Sequence, residues 1–137
     1  MLSSLARYRE ECLSLLRLMS ALLILQHGTI KILNFPESPM NDVPLTSMGG
    51  IAGIFELIGG VLLAIGLFTR PVAFVLSGLT AVAYFYAHAP QGFFPNLNEG
   101  ELAVLYCFTF LYIACAGGGR WSVDALMGRD TAARQSA

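Results

Sequence analysis

At 137 residues the chain has room for one small domain, yet 55% of it is hydrophobic, only 12% is charged and its mean hydropathy is +0.64, a balance foreign to soluble domains. A formal net charge of -1, with no basic run and no aromatic-lined basic groove, argues against a nucleic-acid partner. Cys12, Cys107 and Cys115 are odd in number and widely spaced, with no CxxC, so neither a dithiol redox centre nor a metal site is predicted. An integral protein of the lipid bilayer is what remains.

Arg7, Arg9, Glu10 and Glu11 precede the first apolar run, and no small-residue cleavage site follows it. This predicts an uncleaved first span over 13–33, about 30 Å at the helical rise and thus matched to a hydrocarbon core. Arg17, Gly28 and Lys31 share one face of it, with His27 about 80° away and Gln26 opposite. Pro36, Pro39 and Pro44 make 34–47 a loop. The second span, 49–68, lies in GGIAGIFELIGGVLLAIGLFTR and carries Glu56 on a face shared with Gly49, Gly53, Gly60 and Leu63. That face should meet protein: glycines admit a neighbouring helix closely, and an acid at this depth needs a partner or a wet cavity.

Thr69, Arg70 and Pro71 make a short connection to a third span, 71–89, where Ser77, Ala81, Tyr84 and His88 fall on one face. A second loop, 90–100, presents Phe93 and Phe94 to the membrane interface. The fourth span, 101–116, is short and stops at Gly117, Gly118 and Gly119. In the tail, 117–137, Ser122 is placed to cap a short helix begun by Val123, with Asp124 in its first turn near Arg120 and Trp121 at headgroup level.

Arg7, Arg9, Arg17, Arg70, Arg120, Arg129 and Arg134 fall on one side of this threading and only Lys31 on the other. The predicted fold is therefore all-α: an up-down-up-down four-helix membrane bundle with both termini cytoplasmic. The threading brings His27, Lys31, Glu56, His88, Glu99 and Glu101 to the outer half. The leading candidate site is an outward-opening polar pocket of Glu56, His27 and Lys31, in which Glu56 pairs with either base and relays a proton or holds a quinone-like headgroup. The competing reading is structural, with Glu56 holding helices in register. His88, Tyr84, Glu99 and Glu101 are secondary cofactor-binding candidates, solvated helix ends being the simpler account of the His and the two acids. Lys31 and Arg17 are each long enough to snorkel towards an interface. Cys107 and Cys115 sit about 12 Å apart along one helix, too far for a disulfide with each other, and read as apolar filler.

The assembled pattern resembles the DoxX family of small bacterial membrane proteins. It includes Arg17, Gly28-x-x-Lys31, Glu56 with Gly59, Gly60, Leu63 and Gly66, then Thr69-Arg70-Pro71, His88, Asn98-Glu99 and the run from Gly117 through Arg120, Trp121, Ser122 and Val123 to Asp124. Gly118 stands where the family often has proline. The resemblance implies a single four-helix unit spanning 1–137 in the bacterial inner membrane, associated with quinone-linked redox or oxidative-stress complexes. No haem-ligand pair, iron–sulfur cysteines or dinucleotide fingerprint is present, so any electrons would pass through a bound quinone or a membrane or periplasmic redox partner. That describes a non-autonomous subunit. The alternatives are a scaffold whose small-residue faces recruit partners or a second copy of the chain, and a proton-coupled transporter, which the lack of an internal repeat disfavours.

Overall fold

The computed structural model describes residues 2–130, and among them every regular element is helical. A 3-10 segment, Leu2–Tyr8, leads into helix α1, Arg9–Leu33. The helix begins before the apolar run does, because Glu10 and Glu11 suit the positive end of the helix dipole in its first turn. Arg134 and the rest of 131–137 lie outside the described residues. The 34–47 loop forms as expected, pinned by Asn34 Nδ2 donating to Asp42 Oδ1 at 2.9 Å.

Helix α2, Met48–Ile65, starts at a cap in which Ser47 Oγ accepts from the Gly50 N–H at 3.1 Å. It ends at Gly66 and not at Phe68, as hydropathy alone predicts, since Gly66 takes a left-handed φ of 72° and turns the chain. Helix α3, Thr69–Ala83, comes at once, with Pro71 in the first turn where its missing N–H is harmless. Beyond Ala83 the helix continues as a π turn, Tyr84–His88, and a 3-10 turn, Ala89–Gln91. Ser77 is buried and Ala81, Tyr84 and His88 are half-buried, whereas Val82, Phe85, Tyr86 and Ala87 are exposed, so the predicted face persists into the π turn and becomes less covered towards its end. Helix α4, Glu101–Ala116, has the predicted bounds, and the short α5, Val123–Leu126, lies just past the glycine turn.

Three helical runs, Leu5–Leu33, Met48–Ile65 and Thr69–Gln91, are long and apolar enough to cross a membrane. With 16 residues, α4 extends only about 24 Å. Large apolar side chains such as Leu22, Ile58, Phe74, Val82, Leu105 and Phe108 cover the outside, a surface suited to lipid and not to water.

Helices α1 and α2 form one antiparallel hairpin and α3 and α4 another. In the first, glycines set the spacing: a Cβ on Gly28 would stand 2.4 Å from the Leu57 nitrogen, and one on Gly60 would stand 2.9 Å from the Leu25 Cα. The small-residue face of α2 is thus spent on α1 of the same chain. In the second, Ser77 Oγ donates to the Cys107 carbonyl at 2.8 Å and Arg70 to the Ala114 carbonyl at 3.2 Å. Between the hairpins lies a core of Ala21, Ile24, Leu63, Ala73, Leu76, Phe110 and Ile113.

Candidate functional site

Lys31 occupies the last turn of α1 and Glu56 the middle of α2, and the antiparallel register brings them level. Gly53, one turn before Glu56, leaves room for the lysine stem: a Cβ there would lie 2.9 Å from the Lys31 Cβ. The Lys31 ammonium donates to both carboxylate oxygens of Glu56, at 2.9 Å and 2.8 Å. The two side chains are only 14% and 9% exposed. A buried pair of this kind survives because each charge answers the other, and removing either one strands its partner.

Of the two bases proposed for Glu56, Lys31 takes the contact. His27 instead sets its ring edge-on to Tyr106, with centroids 6.3 Å apart and an interplanar angle of 88°. It remains within electrostatic reach of both Glu56 and Lys31, and Tyr106 within reach of Glu56. Acid, amine, imidazole and phenol therefore gather between α1, α2 and α4.

Of the secondary candidates, Tyr84 and His88 come together in a separate cluster at the π turn. His88 stacks beside Tyr84, with centroids 6.4 Å apart, and its Nδ1–H donates to the Asn98 carbonyl at 2.9 Å. Asn98 organises this corner. Only 1% exposed, it donates from Nδ2 to the Gly92 carbonyl at 2.8 Å and accepts the Gly100 N–H at Oδ1 at 2.9 Å. Glu99 and Glu101 are exposed. Among the described residues no hydrogen bond or ion pair joins this cluster to Glu56. Two surface clefts lie near it, one of about 330 Å3 lined by Tyr84, Phe85, Ala89, Gly92, Phe93 and Pro95, the other of about 500 Å3 beside Pro95, Glu101, Val104, Leu105 and Phe108. Neither is bordered by Glu56, Lys31 or His27.

At the opposite end of the bundle, Arg17 does not snorkel. It is 2% exposed and donates to four backbone carbonyls: Gly118 at 2.8 Å, Leu63 at 2.5 Å, Ala64 at 2.6 Å and Trp121 at 2.6 Å. It thereby satisfies the exposed carboxyl end of α2 and fastens the glycine turn to it. Asp124 is the counterpart, and its partner is not Arg120, which pairs with Glu11 at 2.6 Å. Its carboxylate instead accepts the N–H groups of Phe68 at 3.1 Å and Thr69 at 2.7 Å, capping α3 from a distant segment. Ser122 caps α5 as its sequence position predicts, accepting the Ala125 N–H at 3.1 Å. The Gly118 N–H donates to Asp130 Oδ2 at 3.1 Å, a bond that a proline at this position would forfeit. The signals for Arg17 in the sequence are the helical face it shares with Gly28 and Lys31 and its place in the pattern that resembles the DoxX family, and neither points to carbonyl partners.

The family model described as DoxX matches residues 12–89. A protein of Haemophilus influenzae (strain Rd), described only as uncharacterized, is 43% identical over 128 residues, which cover 90% of this chain and 96% of that one. A second uncharacterized protein of the same strain is 34% identical over 89 residues, 65% of this chain and 59% of its own length. No solved structure matches. With more than half of its residues matched by the family model, and with three helical runs long and apolar enough to cross a membrane, this chain belongs to the DoxX family of membrane proteins.

Proposed function

We propose that this protein is a membrane subunit of a quinone-linked redox or oxidative-stress complex in the bacterial cytoplasmic membrane. The observation that carries the reading is the Lys31/Glu56 pair, an acid and an amine 2.8 Å apart within apolar helices and flanked by His27 and Tyr106. Net uptake of one proton at the Glu56 carboxylate, with Lys31 still charged, or net release of one from the Lys31 ammonium, with Glu56 still ionised, would match the proton that a quinone headgroup gives or takes as it changes redox state. The chain supplies no redox centre of its own in this scheme. Electrons come from a membrane or periplasmic partner and the protein handles protons and position.

The excess of arginines at the Arg17 end makes that end the cytoplasmic one. Both termini then lie inside, the helices run up-down-up-down, and Lys31 and Glu56 lie in the outer half. The test is quinone reduction by membranes carrying Glu56→Gln. Loss of a general acid should slow it by about 10²-fold. An unchanged rate removes Glu56 from the chemistry.

A second reading is favoured by one observation: both carboxylate oxygens of Glu56 are already satisfied by Lys31. In that case the pair pins the α1 and α2 register, and the protein is a scaffold on which partner subunits assemble. Glu56→Gln would then spare quinone reduction per assembled complex while lowering the amount of complex recovered. Because the glycine face of α2 is used internally, a partner would have to bind the outer aliphatic and aromatic surface.

A further inference from the structure

Each hairpin is closely packed within itself, α1 on α2 and α3 on α4, whereas α1 meets α4 and α2 meets α3 only sparsely. Among the described residues, the polar bonds that cross between hairpins are confined to one end. They comprise Arg17 to the Gly118 and Trp121 carbonyls, the Trp121 N–H to Ser14 Oγ at 3.0 Å, Arg120 to Glu11, and the Asp124 N–H to the Gly66 carbonyl at 2.9 Å. The buried apolar side chains share this gradient, reaching no further along the helices than Ile24, Leu63, Leu76 and Tyr106.

Past that level the buried residues of the helices are glycines together with Glu56, Ser77 and Thr80, and each polar one is satisfied inside its own hairpin. Glu56 bonds Lys31, Ser77 bonds the Cys107 carbonyl, and Thr80 donates back to Leu76 of its own helix at 2.9 Å. Parting the hairpins there would leave none of these polar groups unpaired. Among the described residues, the ring contact of His27 with Tyr106 is the outermost aromatic or polar contact across the seam.

We infer that the molecule is a hinged pair of hairpins, clasped at the Arg17 end and free to part at the other, where the seam between α1 and α4 opens beside Lys31 and Glu56. Sparse contacts between well-packed units are the physical condition for such rigid-body motion. The inference rests on where the bonds lie, and it holds whether or not a quinone is the ligand.

Pulsed electron-electron resonance on spin-labelled protein in lipid nanodiscs tests it. The native Cys12 and Cys115, both exposed, label the clasped end in a Cys107→Ala background. Leu33→Cys with Leu102→Cys labels the free end across the seam, and Leu33→Cys with Ile51→Cys labels the same end within one hairpin, both in a cysteine-free background. Leu33, Ile51 and Leu102 are all exposed. The cross-seam pair should give a distance distribution at least about twice as broad as either of the others. Equal widths at the two ends would overturn the inference, as would a Leu33 and Ile51 pair as broad as the cross-seam one, which would mean fraying and not hinging. A measurement free of cysteine changes is fluorotyrosine NMR of the native chain, with Tyr106 assigned by Tyr106→Phe: exchange broadening of that resonance supports the hinge, and a sharp single line counts against it.

Discussion

The Arg17 guanidinium reaches carbonyls of α2, of the glycine turn and of Trp121 at once, which its flat fork of N–H groups allows and a lysine ammonium does not. Arg17→Lys should therefore cost about 1–3 kcal/mol for each carbonyl left dry and unpaired, read as a loss of thermal stability in detergent together with faster proteolysis after Gly117. Lys31 and Glu56 obey a different logic. Lys31→Met and Glu56→Leu should each destabilise by about 3–5 kcal/mol, because each strands a buried charge, while the double substitution should recover most of the loss. A double variant as unstable as the sum of the singles would show that the two charges are not coupled. Glu56 and Lys31 were legible in the sequence because an ionisable group in an apolar run announces that it needs a partner. Arg17 was not, because its partners are main-chain carbonyls of residues remote in the chain, and a carbonyl carries no side-chain signature.

The helices themselves show where periodicity is informative and where it is blind. The bounds of α4 and the buried face of α2 derive from apolar spacing and from Glu56, both local properties. The end of α2 depends on one left-handed glycine, and the start of α3 on an acid from α5, neither of which hydropathy registers. Asp124→Asn keeps an accepting oxygen but removes the charge facing the α3 dipole, so it should cost about 0.5–2 kcal/mol. Hydrogen exchange at the Phe68 and Thr69 amides is the place to see it, and unchanged protection there would disprove the cap. Gly60→Leu should open the first hairpin, since the added carbons meet the Leu25 main chain. The expected result is poor expression of folded protein, with the milder Gly60→Ala intermediate.

At the scale of the whole molecule, Arg17, Arg70, Arg120 and Arg129 are drawn to one end by contacts with Gly118, Ala114, Glu11 and Asp124. If that end faces the cytoplasm, a cysteine placed at the exposed Leu45 should react with a membrane-impermeant maleimide in intact cells, and the native Cys12 should react only after the membrane is broken. The reverse pattern would invert the orientation and with it the outward placement of Glu56. Membrane class and helix number were readable from composition and loops alone, whereas the division into two separately packed hairpins was not, because it arises from which faces carry glycine and which carry bulk.

The brevity of α4 has a consequence for the lipid. At about 24 Å it falls short of a hydrocarbon core of about 30 Å, while its neighbour, the Thr69–Gln91 run, does not. If α4 crosses the bilayer beside the other three, the acyl chains along that flank compress or the helix ends sink, an elastic strain of a fraction of a kcal/mol for each ångström of mismatch. Reconstituted in phosphatidylcholines of increasing chain length, the protein should melt at its highest temperature in the shorter-tailed members of the series.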